Sequence, residues 1–124
     1  MYNLYLDNRD THTLFSKLSS KLLKVYRKYP AIFPADESSI TLCNYLSYSL
    51  KIPILKELNN QKFIWVINVF SNEKKLNEFI EKTNLVQGKD FVVASLHRSK
   101  NLNGVYPNIY INTKKSDQWI VYPW

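Results

Sequence analysis

The stretch "KFIWVINVFSNEKKLNEFIEKT", residues 62–83, constrains this chain more than any other. From Phe63 to Phe70 it is a nearly continuous run of β-branched and aromatic residues, with Asn68 its one polar member. A run of that length and composition is buried on both faces, as in the interior of a parallel sheet. Ser71 and Asn72 then break the run, and Leu76, Phe79 and Ile80 recur at helical spacing. A buried strand that feeds a helix is half of a crossover unit, so the expectation is an α/β fold with a mostly parallel sheet flanked by helices.

The remaining pattern alternates in the same way. "TLFSKLSSKLLKVYRKY" carries Leu14, Leu18, Leu22 and Val25 on one helical stripe, with Thr11 or Thr13 as the cap and Pro30 as the stop. An apolar piece, Ala31 to Phe33, leads through "PADESS" into "ITLCNYLSYSL", where Ile40, Cys43, Leu46 and Leu50 mark a second helical face. "IPIL" and "DFVVASL" read as strands, "HRSKNLNGVYPN" as a loop, and "IYIN" and "WIVYP" as two late short strands. No repeat or linker divides the chain, and 124 residues support one domain, 1–124, that buries about two-thirds of its unfolded surface.

Composition excludes several classes. Apolar residues at 45% can offset the entropy of ordering, which excludes a disordered chain. A lone Cys43 forms no internal disulfide or cysteine zinc site and fits a reducing compartment. Met1 to Asp10 lacks the pattern of a secretory signal, and no stretch approaches a membrane span. The expected location is therefore the cytoplasm, that of a host cell if the Lys-, Asn-, Ile- and Tyr-rich composition reflects a viral AT-rich genome. The formal charge of +7 raises nucleic acid as a partner. However, Lys17, Lys21, Lys24, Arg27 and Lys28 share one helix, while Lys74, Lys75 and Lys82 are mixed with Glu73, Glu78 and Glu81 on another. That distribution reads as solvated helix faces rather than a basic stripe, which disfavours nucleic acid.

In parallel α/β sheets ligands bind beyond the carboxyl ends of strands, where loops meet helix N-termini. "PADESS" and "NVFSNEKK" occupy such positions. Ser71 or Asn72 can cap the second helix, whose first amides, with Lys74 and Lys75, favour an anion. Neither loop contains glycine, so Walker and dinucleotide fingerprints are absent. Asp36 and Glu37, adjacent acids beside a helix start, are candidate ligands for a hard cation. His12 and His97 have no partner at metal-ligand spacing. Plain structural alternatives stand beside each: Trp119 and Trp124 as core or interface aromatics, Lys74 and Lys75 as solvated residues, Cys43 as a small buried one.

The ending "SDQWIVYPW" resembles the closing segment of purine phosphoribosyltransferases of the xanthine, guanine and hypoxanthine group. "PNIYIN" resembles that family's preceding strand, "LCNYLSYSLKIPIL" its helix and short strand after the pyrophosphate loop, and "FIWVINVFSNEKKLNEFIEK" its signature strand, loop and helix. The family continues past this point with an acidic residue, whereas the sequence here stops at Trp124. The resemblance implies a type I phosphoribosyltransferase-like domain. Where activity is retained, it implies a pentosyltransferase moving ribosyl phosphate from phosphoribosyl pyrophosphate to a purine with Mg²⁺; a homodimer is compatible with it.

Carried over by position, the two acids that hold the ribose hydroxyls fall at Ile67 and Asn68, and the acid near the purine at Ser71. The 5′-phosphate cradle falls at Asn72, Glu73, Lys74 and Lys75, and the pyrophosphate loop at Asp36, Glu37, Ser38 and Ser39. Lys100, or Arg98 if the loop shifts, would read the exocyclic oxygen of the purine. Trp119 would stack on the base, worth about 1–3 kcal/mol, and Ile120 would complete the apolar floor. The departures are physical: Ile67 accepts no hydrogen bond, and Glu73 repels the phosphate that a glycine would approach. Three expectations of different class follow. They are a divergent purine phosphoribosyltransferase, a non-catalytic relative that binds a purine, nucleotide or partner protein as a regulator, and a basic nucleic-acid-binding module.

Overall fold

A computed structural model describes residues 2–100, 107–115 and 118–124. Its elements run β1 (Tyr2–Tyr5), α1 (Asn8–Leu22), β2 (Ile32–Pro34), a 3-10 turn (Glu37–Ser39), α2 (Ile40–Leu50), β3 (Phe63–Phe70), α3 (Lys74–Thr83), β4 (Phe91–Ser99), β5 (Ile109–Lys114) and β6 (Gln118–Val121). Strands β2, β3, β4 and β5 form one parallel sheet in that order, and β1 pairs with β6, also parallel, in a second.

Strand β3 is the centre of the structure, as its composition requires. Ile64 and Val66 join Val92, Ala94 and Leu96 of β4 against Leu18 and Leu22 of α1 and Leu42, Cys43 and Leu46 of α2. Phe63, Trp65 and Ile67 point the other way, with Phe91 and Val93, toward Leu76 of α3. The period of two along a strand therefore feeds two cores, one on each face. The Phe63 and Phe91 rings stack at 5.4 Å, and Phe79 of α3 meets both edge-on.

Several sequence expectations need correction. Helix α1 begins at Asn8, because Asp7 caps it: its carboxylate accepts from the Asp10 amide at 2.7 Å, while the Asp10 side chain accepts from the Asp7 amide. Thr11 and Thr13 instead bond their hydroxyls to carbonyls four residues back. The helix also ends at Leu22, and residues 23–28 continue as turns whose Val25 and Tyr26 still pack on the core. Ile40 is 44% exposed, and Leu42 takes its place in the buried stripe of α2. "IPIL" supplies only one bridge, Ile54 to Ile32. His97, Arg98 and Ser99, read as loop, extend β4, and β1 was not anticipated. The rest of that loop falls in part on residues 101–106, outside the described residues.

Candidate functional site

The loops after β2 and β3 leave the sheet at the carboxyl ends of adjacent strands. After β3, Ser71 and Asn72 are exposed, and Asn72 Oδ1 accepts the Lys74 amide at 2.9 Å. Asparagine thus caps α3 from one residue before its formal cap, Glu73, and the Lys74 amide is occupied rather than open to an anion. The cations beside it are the side chains of Lys74 and Lys75, both exposed.

After β2, Asp36 organises the turn. Its Oδ1 accepts from Ser38 Oγ at 2.7 Å, Ser39 Oγ at 2.9 Å and the Ser39 amide at 3.1 Å. Its Oδ2 pairs with Lys75 Nζ at 2.5 Å. Burial alone would push the Asp36 carboxyl up, but the bonds from Lys75, Ser38 and Ser39 outweigh it and hold the group below its ordinary value.

Between the loops lies Asn68, 5% exposed. Its Nδ2 donates to the Ser38 carbonyl at 2.7 Å, and its backbone amide donates to Ser39 Oγ at 3.3 Å. With the amide group oriented by Ser38, Asn68 Oδ1 is a buried acceptor that finds no hydrogen-bond partner among the described residues. Such a group is costly to bury and calls for a donor from a ligand or solvent.

The third wall comes from the C-terminal segment. Strand β6 presents Trp119, 63% exposed, beside Ile120, 7% exposed. Tyr122 stacks on Trp124 at 4.7 Å, Trp124 packs on Phe15 of α1, and the Trp124 indole N–H donates to the Ser38 carbonyl at 3.3 Å. The Tyr122 hydroxyl lies 2.9 Å from His97 Nδ1 and 3.2 Å from the Asn68 carbonyl. Burial, with Lys114 adding, lowers the His97 pKa to about 4, so the imidazole is neutral near pH 7. Burial likewise raises the Tyr122 phenol, which stays protonated. Cys43 is buried in the core, its thiol pushed up to about 12, which makes it unreactive.

These walls enclose a cleft of about 600 Å³, the size of a small-molecule site. Of the residues singled out in the sequence, it brings together Asp36 and Ser38, then Ile67, Asn68, Ser71 and Asn72, then Lys74, Lys75, Trp119 and Ile120. Ser39 is buried behind it and Glu37 points to solvent, neither among the lining residues. Lys100 is exposed at the end of β4 and Arg98 lies 4.9 Å over the Tyr110 ring, so the lysine read as facing the base does not line the cleft. Sequence reasoning missed Lys114, which does line it. Only 7% exposed, Lys114 donates from Nζ to the carbonyls of Gln118 at 2.9 Å and Lys115 at 3.3 Å. Its signal was its place at the end of a strand leading into the Trp119 segment.

The cleft does not suit Mg²⁺. The Asp36 carboxylate is bonded to Lys75 and to its own turn, Glu37 lies outside, and Asn68 offers one neutral oxygen. Among the described residues no group of three His, Cys, Asp or Glu side chains is arranged to hold a metal. Nor is any described helix long and apolar enough to cross a membrane.

A parallel sheet with helices on both faces, and a cleft built from the loops after β2 and β3 and closed by the C-terminal segment, is a type I phosphoribosyltransferase-like fold. Solved structures of this fold match nearly the whole chain. The purine phosphoribosyltransferase of Pyrococcus horikoshii superposes with a TM-score of 0.79 over 98% of this chain and 93% of its own, at 21% identity. The xanthine-guanine-hypoxanthine phosphoribosyltransferase of Helicobacter pylori gives 0.74 over 98% and 92%, at 13% identity. A hypothetical protein of Neisseria gonorrhoeae, solved with bound ppGpp, gives 0.75 over 99% and 89%, at 19% identity. No protein-family model and no curated protein sequence matches the chain.

Proposed function

We propose that the cleft is a purine nucleotide site with the arrangement of a purine phosphoribosyltransferase, the base lying on Trp119 and Ile120 and the phosphate against Lys74 and Lys75. The observation that carries this reading is that one cleft joins two exposed lysines at the start of α3 to an exposed indole on an apolar floor. An exposed tryptophan offers a π-face to any purine, and paired ammonium groups draw an anion to the opposite end. Asn68 Oδ1 supplies the acceptor between them, suited to a ribose hydroxyl. The solved structures of this fold that are purine phosphoribosyltransferases support transfer of ribosyl phosphate to a purine as the chemistry.

In that reaction the chain's own residues bind and orient. Trp119 fixes the plane of the base, Ile120 excludes water beneath it, and Lys74 and Lys75 hold the phosphate, which together align acceptor and donor. No step here is assigned to a side-chain nucleophile or a bound metal.

A second reading, nucleotide binding without turnover as in a regulator, has its own observation. Ile67 and Asn68 stand where the resemblance calls for carboxylates, and neither carries a charge to stabilise a cationic ribosyl group. One pair of measurements separates the readings: calorimetric titration with guanosine and inosine 5′-monophosphates, and product formation from phosphoribosyl pyrophosphate and each purine base with Mg²⁺. Binding with turnover supports the first, binding without turnover the second, and absence of both overturns the nucleotide site.

A further inference from the structure

The two ends of the cleft stand on different sheets. Trp119 and Ile120 belong to β6, which pairs with β1, whereas Lys74 and Lys75 follow β3 in the four-stranded sheet. Among the described residues no strand pairing joins the two sheets, so side-chain bonds contribute to the spacing between the two ends. Among the described residues, Lys114 Nζ of β5 donates to the Gln118 carbonyl at the start of β6, and two further bonds reach from the C-terminal segment to the opposite wall of the cleft: the Trp124 indole to the Ser38 carbonyl, and the Tyr122 hydroxyl to the Asn68 carbonyl. The last of these ends on the residue whose side-chain oxygen is the unfilled acceptor of the cleft.

His97 completes this link from beneath. It is 2% exposed on β4, and its Nδ1 is 2.9 Å from Tyr122 Oη. One tautomer makes both bonds at once: the Nδ1–H donates to the phenolic oxygen, and the phenol donates to the Asn68 carbonyl. Three strands or segments, β3, β4 and the tail, thereby meet at one hydroxyl. His97 does not line the cleft, and Tyr122, which does, holds neither the base nor the phosphate in the nucleotide reading.

We propose that Tyr122, oriented by His97, is a positioning residue that sets the distance between the base end and the phosphate end, so that the cleft selects a ligand spanning both. The inference rests on the nucleotide reading. A spanning ligand gains from both ends only when their separation matches its length, because the second contact is then intramolecular. A fragment that occupies one end does not sense the separation. Removing the hydroxyl should therefore weaken the nucleotide and spare the fragments, which loss of folding would not do.

The test is calorimetry with guanosine 5′-monophosphate, ribose 5-phosphate and guanine on the wild type and on Tyr122→Phe, which keeps the ring stacked on Trp124. The expected result is a nucleotide Kd raised about tenfold, with both fragments within about twofold of wild type. His97→Leu should repeat the loss. His97→Asn should retain tight binding, because its amide nitrogen reaches the place of Nδ1. Equal weakening of all three ligands, or none, in Tyr122→Phe overturns the positioning role. A wild type that binds the nucleotide no better than its fragments overturns the nucleotide reading itself.

Discussion

Lys75 Nζ lies 2.5 Å from Asp36 Oδ2, so the first turn of α3 is tied to the loop after β2 by an ion pair at the cleft. The pair is half open, with side-chain exposures of 56% and 24%, and contributes at most about 1 kcal/mol to stability. Its greater effect is on charge. Lys74 presents a cation unopposed by this carboxylate, whereas Lys75 both supplies a cation and masks an anion.

Unequal effects of the two lysines follow. Lys74→Ala should weaken ribose 5-phosphate about threefold, and Lys75→Ala about tenfold, because the second also leaves the Asp36 carboxylate facing the phosphate. Asp36→Asn added to Lys75→Ala keeps the oxygen that caps the turn and should recover part of the loss. Equal single effects with no recovery in the double variant would show that Asp36 is not felt by the ligand.

Trp119→Ala separates binding from folding. With 63% of the residue exposed, its removal should change stability by no more than about 0.5 kcal/mol. Loss of stacking at about 1–3 kcal/mol should weaken guanine and guanosine 5′-monophosphate about tenfold or more while ribose 5-phosphate is unchanged. Thermal melts beside the titrations check both halves, and a melting point that falls together with nucleotide affinity would mark Trp119 as a core residue.

Stability should fall in mild acid because of His97. Its pKa drops from 6.5 to about 4 on folding, so the unfolded chain binds the extra proton first. The contribution, about 3 kcal/mol, is complete above the unfolded value and is lost as pH falls from about 6.5 toward 4. Asp36, also lowered, loses its share in the same direction at still lower pH. Denaturant titrations at pH 7 and pH 4.5 should show the fall in the wild type and a shallower one in His97→Leu; parallel falls would contradict it.

Much of this was legible where a local pattern governs. The run from Phe63 to Phe70 announced a strand buried on both faces, and the stripes of α1 and α3 announced the helices above and below it. The cleft was legible only in part, because its parts meet through tertiary contacts. "SDQWIVYPW" pointed to Trp119 and Ile120, but nothing in it indicated that β6 pairs with four residues at the start of the chain. Asp36 read as a candidate cation ligand, since the sequence does not reveal that Lys75 and two serines surround it. Lys114 was invisible because burial of a lysine depends on carbonyls that the fold places around it. Asp7 was overlooked as a cap because the apolar stripe it precedes begins about two turns later, at Leu14.

Placing an acid at Asn68, where the resemblance calls for a carboxylate, should destabilise the fold. The Asn68 Nδ2 donates to the Ser38 carbonyl at 2.7 Å in a pocket where the residue is 5% exposed. Asn68→Asp replaces that donor by an acceptor, which places a carboxylate against a carbonyl and forfeits the bond. The cost should be about 2–3 kcal/mol at pH 7. Burial and the facing carbonyl both disfavour the charged form, so the new carboxyl should titrate well above an ordinary aspartate. Its destabilisation is then greatest above that pKa and shrinks as pH falls and the protonated acid regains a donor toward Ser38. Chemical denaturation of wild type and variant across pH 4 to 8 measures the difference directly, so that the common His97 contribution cancels. A difference that does not change with pH would mean that Ser38 yields to the substitution, and that the link between the β2 and β3 loops is not held through Asn68.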